Sequence, residues 1–151
     1  MLTQVRVRGL MFDPPANYIV ILRSEEGQGV LPIWIGKAEA NAISLALESV
    51  ELPRPLTHDL IKNAIEEVSA KVISVVITDL RDNTFYAKLH LSHRDAEITV
   101  DARPSDAIAL ALRAECPIFV AKEVFEKQEA DDDVAKWLEN LRPEDFGKAD
   151  A

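Results

Sequence analysis

Apolar and polar residues alternate from Val5 to Phe12, the two-residue period of a half-buried strand. Asp13-Pro14-Pro15 supplies the turn that ends it. Asn17–Arg23 (NYIVILR) is a β-branched run that predicts a second strand, and Val30–Ile35 (VLPIWI) a third, with the turn Glu25–Gly29 between them. Gly36 breaks the pattern, and Lys37–Val50 predicts a helix rich in Ala and Leu. Pro53-Arg54-Pro55 is a stiff link. Thr57 then stands as N-cap of a helix running to about Ala70, with Leu60, Ile61, Ala64, Ile65 and Val68 as its apolar face. The same order returns in the second half. Strands are expected over Lys71–Leu80, Thr84–Leu91 and Glu97–Asp101, with Arg81-Asp82-Asn83 as a turn. Pro104 opens a helix that ends before Pro117, because the residue before proline disfavours helical dihedrals. A short strand, Ile118–Ala121, precedes a charged, largely helical tail in which Val134, Trp137, Leu138 and Leu141 share one face behind Asp131-Asp132-Asp133.

An offset of 65 residues superposes the two β-β-β-α units: Val30–Glu48 falls on Asp95–Arg113, Ile33 on Ile98, and AISLAL on AIALAL. Internal duplication explains this; so does the chance likeness of two Ala/Leu helices. The fold class expected is α+β, with mixed β-sheet packed against α-helices. Helices apolar nearly all round are buried on more than one side, by a sheet plus either a neighbouring helix or a second subunit, which favours a homo-oligomer.

A chain of 151 residues has room for one domain with a full core. We place that domain at residues 1–125 and an acidic, partly helical tail at 126–151. A net charge of −9 weighs against tight non-specific binding of a polyanion, since phosphate is held mainly by Lys and Arg displacing counterions. The acid is concentrated in the tail: residues 126–151 carry nine acids and four bases, leaving −4 on the rest, where a local basic patch is compatible with weak nucleic-acid binding. Cys116 is the only cysteine, so an internal disulfide and a thiol redox pair are both excluded. Apolar stretches stop well short of the ~20 residues that span a bilayer, and MLTQVRVRGLMF alternates like a strand rather than a leader. A reducing cytoplasm without membrane contact is the simplest expectation.

Three stretches carry more than composition does: LPIWIGKAEANAI (31–43), RPLTHDLIKN (54–63) and ARPSDAIALALRAECPIFV (102–120). In this order and spacing they resemble the signature segments of the bifunctional nuclease domain family, over about residues 3 to 125. The resemblance implies a mixed α/β domain that assembles into oligomers and cleaves both DNA and RNA, as plant members are described to do.

Each stretch lies where a strand or linker enters a helix, and helix N-termini suit anionic ligands. Phosphodiester hydrolysis requires an activated water and charge neutralisation at phosphorus. His58, Asp59, Arg103 and Asp106 are the candidate catalytic groups, with a His beside a carboxylate as general base and Arg103 as a phosphate clamp. Lys37, Arg54, Lys62 and Ser105 are candidate substrate contacts, and Glu39 and Asp106 candidate ligands for Mg²⁺ or Mn²⁺; no organic cofactor is expected. Each has a plainer reading as well. Glu39, Asp59, Ser105 and Asp106 sit in first turns, where such residues complement the helix dipole or cap it, and scattered cations are usually solvated. His90 and His93 show no acidic partner in the pattern and read as surface residues; Trp34 reads as core or interface rather than a stacking platform. Signatures of P-loop, zincin, α/β-hydrolase and dinucleotide sites are absent. A non-catalytic oligomeric module that binds a small anion or a protein on the same surface is the alternative. Geometry separates the two: an enzyme gathers these groups in an open cleft, whereas a binding module buries them as satisfied pairs.

Overall fold

The computed structural model describes residues 1–14, 17–27 and 29–129. The first three β-branched runs form an antiparallel meander, β1 (Leu2–Asp13), β2 (Asn17–Ser24) and β3 (Val30–Ile35). The chain continues through α1 (Lys37–Leu47) and α2 (Thr57–Glu67) into a second meander, β4 (Ala70–Arg81), β5 (Thr84–His93) and β6 (Ala96–Ala102). Then come α3 (Pro104–Ala114), β7 (Ile118–Ala121) and α4 (Lys122–Glu129). This is the expected α+β class. Asp82-Asn83 and Arg94-Asp95 all have positive φ, the signature of two-residue type I′ turns, whose twist matches that of the strands they join.

All seven strands make one sheet in the order β3-β2-β1-β7-β4-β5-β6. β7 is antiparallel to β1 and parallel to β4, so the two meanders flank it in opposite directions. The edge strands β3 and β6 therefore run antiparallel, and their C-terminal ends occupy diagonal corners. Each strand pair adds roughly 20–25° of twist, and diagonal corners of a twisted sheet curl toward the same face. α1 leaves one of these corners and α3 the other, so their N-termini converge above that face. This convergence builds the site.

Val20, Leu22, Leu31, Val75, Ile77, Ala87 and Val120 point from the sheet into the core that the helices cover. α3 lies deepest: Ala107, Ile108, Ala109, Leu110 and Ala111 are all buried, against β4 and β5 beneath and α1 and α2 beside it. A single chain therefore suffices to surround this apolar helix, and no second subunit is required for it. α4 runs across the boundary expected at residue 125 and buries Val124 in the same core. The apolar face assigned to the tail, Val134 to Leu141, lies outside the described residues.

Several local expectations need correction. Leu56, not Thr57, is the N-cap of α2; Thr57 is its first helical residue, and the Asp59 carboxylate accepts the Leu56 N–H at 3.0 Å, doing the capping from inside the helix. α1 stops at Leu47 and α2 at Glu67, each followed by a left-handed serine, Ser49 or Ser69, that turns the chain out of the helix. Most important, the apolar stripe of α2 is divided: Ile65 packs against the core and Ile61 lines a groove, whereas Leu60 is 59% and Val68 63% exposed, and the buried residue is His58. Periodicity identified the stripe but not how the domain divides it. His90 also has a partner after all, since its Nδ1 lies 3.0 Å from Glu97 Oε1 across β5 and β6.

Candidate active site

Gly36 ends β3 and starts α1; Arg103 ends β6 and starts α3. Neither cap receives a side-chain hydrogen bond, so both helix starts remain open to a polar neighbour. Glu39, in the first turn of α1, curls back so closely over Gly36 that a Cβ there would collide with its carboxylate. This holds Glu39 toward the start of α3, with its Oε1 3.6 Å from a guanidinium nitrogen of Arg103.

Arg103 turns its other edge to its own helix. Its Nε donates to Asp106 Oδ2 at 2.9 Å and Nη2 to Oδ1 at 3.3 Å. Asp106 Oδ1 also lies 2.9 Å from His58 Nε2, which α2 delivers from the opposite wall. Glu39, Arg103, Asp106 and His58 are thus one continuous chain of contacts drawn from three helices. The Arg103 side chain is 65% exposed, whereas His58 is only 8% exposed. Burial alone would push the Asp106 carboxyl up, but the hydrogen bonds from Arg103 and His58, helped by their charges, hold it below its ordinary value. The Asp106 bond in turn raises Arg103.

A charged Asp106 fixes the imidazole tautomer. An ionised carboxylate only accepts, so Nε2 carries the proton toward Asp106 and Nδ1 bears the lone pair. Nδ1 has no hydrogen-bond partner and is not sealed from solvent. A histidine oriented by a carboxylate, with its free nitrogen accessible, is the arrangement of a general base.

These groups line a groove of about 630 Å³ between α1 and α2, with α3 as its floor. Asp101 and Arg113 join them there, and neither stood among the sequence candidates. Arg113 carried a signal: it is the one cation in an otherwise apolar helix, and it follows Asp106 by seven residues, hence on the same face. A buried guanidinium requires acceptors, and Arg113 has three: Asp59 Oδ1 at 2.7 Å, Ala109 O at 3.0 Å and Ala42 O at 3.1 Å. Asp59 therefore belongs to a brace between helices rather than to the His58 chain. The amide of Leu56, more than opposing burial and with further help from Arg113, holds its carboxyl low.

The substrate contacts expected from sequence are not gathered at the groove. Lys37 and Arg54 lie exposed outside it, Lys62 pairs with Glu66 at 3.4 Å along α2, and Ser105 is buried on the far side of Arg103. Among the described residues no group of three or more His, Cys, Asp and Glu is set to hold a metal ion. Arg103 lies between Glu39 and Asp106 and pairs with both carboxylates, a single positive charge against two negative ones.

A model of the bifunctional nuclease domain matches residues 20–133. An uncharacterized protein of Mycobacterium tuberculosis is 41% identical over 162 aligned residues, covering 95% of this chain and 97% of its own length. Bifunctional nuclease 1 of Oryza sativa subsp. indica is 28% identical over 116 residues, and bifunctional nuclease 2 of Arabidopsis thaliana 30% over 107. These alignments cover 74% and 68% of this chain but only 35% and 32% of the plant proteins, so the chain spans about a third of their length.

Proposed function

Since the chain belongs to the bifunctional nuclease domain family, we propose that it hydrolyses phosphodiester bonds of DNA and RNA at the groove between α1 and α2. The observation that carries this reading is the His58–Asp106–Arg103 chain opening into that groove. His58 Nδ1 takes a proton from water as the oxygen attacks phosphorus; the P–O bond to the leaving nucleoside breaks, and the imidazolium, stabilised by Asp106, returns the proton to the departing oxygen. Arg103, exposed and fork-shaped, draws charge from the phosphoryl oxygens. Water as nucleophile makes no use of a ribose 2′-hydroxyl, so one site serves both nucleic acids. Nucleic-acid affinity is weak, because the groove contributes Glu39, Asp101 and Asp106 against Arg103 and Arg113.

Purified wild type and Asp106→Ala, prepared in parallel and assayed on single-stranded DNA and RNA with and without EDTA, test this. Asp106→Ala is expected to lose about 100-fold or more of the activity, and EDTA to leave the wild type active, since Arg103 rather than a cation neutralises phosphorus. Loss of wild-type activity in EDTA transfers the reaction to Mg²⁺ or Mn²⁺ held by Glu39 and Asp106. Equal cutting by both proteins removes the activity from this site. One observation favours the non-catalytic alternative: both oxygens of Asp106 already have partners, as in a satisfied anion-binding network. Binding of nucleotides by the wild type without any turnover would establish that reading.

We also propose a homo-oligomer formed through the exposed stripe of α2. Leu60 and Val68 project from a helix whose opposite side is anchored, and apolar residues grouped on a surface commonly mark an interface. Light scattering after size-exclusion chromatography is expected to give a multiple of the chain mass of 16.8 kDa for wild type and the single-chain mass for Leu60→Glu/Val68→Lys. A wild type that elutes as a single chain sinks the proposal.

A further inference from the structure

The two meanders differ on the face of the sheet turned away from the core. In the second, that face is polar: Lys88, His90 and Ser92 of β5 lie there, with Glu97 and Thr99 of β6 beside them. One buried and one wet face is common in an antiparallel sheet. In the first meander the corresponding positions are apolar. Val20 and Leu22 turn into the core with their partners Ile33 and Leu31. Ile19 and Ile21 therefore turn the other way, next to Trp34 and Pro32 of β3 and Met11 and Gly9 of β1. Strands that are apolar on both faces belong to a sheet covered on both.

Burial shows the same second cover. Ile19 is 0% and Ile21 1% exposed, and Pro32 is buried as well. Neighbours within the sheet cannot supply this alone, since Gly9, directly opposite Ile21, has no side chain. Nor can the described helices. Ile43 of α1, Ile65 of α2, Ala107–Ala111 of α3 and Val124 of α4 all pack into the core on the other face. Arg8 and Trp34 also have interaction partners. We propose that residues 130–151 cover this outer face, setting Val134, Trp137, Leu138 and Leu141 over Ile19, Ile21 and Pro32 of their own chain. The proposal is independent of the nuclease reading.

Reach, pattern and charge select this occupant. The segment follows α4, which leaves β7 at the end of the sheet where β1 begins and β2 ends, with Phe125 against Gly29 between β2 and β3. At 1.5 Å per residue, 130–151 would extend ~33 Å as a helix, longer than the ~26 Å of the eight-residue β2. Val134, Trp137, Leu138 and Leu141 recur at i, i+3, i+4 and i+7, so a helix carries them as one apolar face that needs an apolar counterpart. The segment holds seven acids and three bases. Arg6, Arg8 and Arg23 crowd the β1–β2 pair, with Arg6 directly opposite Arg23 and only Glu25 paired to Arg6. Like charges opposed across strands repel, and an acidic cover relieves that repulsion.

The test uses the full chain with Trp34→Phe, which leaves Trp137 as the single indole. Trp137 is expected to emit at the short wavelengths of a buried indole and to resist quenching by acrylamide. Ile19→Ala/Ile21→Ala should shift the emission to the red and speed quenching. Arg8→Glu/Arg23→Glu, confined to exposed side chains, should act in the same direction, lowering the docked-to-free ratio about 2- to 5-fold per charge. Asp131→Lys/Asp133→Lys in that background should recover most of the loss. Circular dichroism verifies that each variant is folded. A short bismaleimide, added to a Cys116→Ser chain that carries Arg23→Cys and Lys136→Cys, is expected to join the two sites within one chain. A solvent-exposed Trp137 in the parent chain overturns the proposal. So does a shielded Trp137 that ignores every outer-face variant, because the segment then packs elsewhere. Cross-links formed chiefly between chains overturn it too, and make a second copy the cover.

Discussion

His58→Ala is expected to reduce cleavage of both DNA and RNA by about two to four orders of magnitude, the contribution of a positioned general base. Among the described residues lining the groove, no other side chain offers an unpartnered nitrogen already oriented by a carboxylate. Because His58 is buried, alanine also leaves a small void, so the comparison needs His58→Gln, which fills the space and keeps a polar atom facing Asp106 but cannot take up the proton. Both variants should be equally inactive if the imidazole acts chemically. If Gln restores activity, His58 only holds Asp106 and Arg103 in place. Asp106→Asn adds a third comparison: its amide can donate, which allows the imidazole to reverse its tautomer, so turnover should fall while the fold persists. An Arg103→Lys enzyme retains the charge but loses the fork that grips Asp106 and a phosphate together, and its deficit should appear mainly in kcat.

Arg113→Met is expected to have the largest effect on stability, about 2–4 kcal/mol. Methionine replaces the aliphatic stem but removes the donor to Asp59 Oδ1 on α2 and to Ala42 O on α1, the two bonds by which Arg113 ties those helices to α3. Urea unfolding should show a lower midpoint. Activity should fall too, because His58 is the neighbour of Asp59 and loses its anchor when α2 shifts. A variant as stable as the wild type would show that helix packing alone holds the groove. The same pair predicts a pH dependence. Asp59 titrates lower in the folded chain than its ordinary value of 3.8, so its stabilising contribution is fully present above about pH 4 and is lost as pH falls through the lower folded value. Asp106 is depressed as well. Asp59→Asn should therefore flatten the acid limb of the stability curve only in part, and Asp59→Asn/Asp106→Asn more fully.

The groove illustrates how far residue pattern reaches into function. Glu39, His58, Arg103 and Asp106 were legible as polar groups opening separate helices, and all four do meet. Asp59 was legible as well but assigned to the wrong neighbourhood. Adjacent residues on a helix point about 100° apart, so while His58 turns to Asp106, Asp59 turns to Arg113. Lys37, Arg54 and Lys62 shared the sequence neighbourhood of the site but not its direction. Trp34 read as core or interface because it alternates within a strand; it lies on the edge strand β3 and is 44% exposed.

Period-two and helical spacings, together with Pro and Gly punctuation, were enough to locate the seven strands and the helices α1 to α3 to within a few residues, because those signals are local: they depend on dihedral preferences and on which neighbours share a face. The three segment motifs sufficed for the family. Direction and distance were another matter. Whether the start of α1 lies beside the start of α3 depends on seven strands accumulating one hand of twist, and how the stripe of α2 divides between core and solvent depends on which of its sides Arg113 grips. Both are properties of contacts between residues 50 or more positions apart, and no local spacing encodes them.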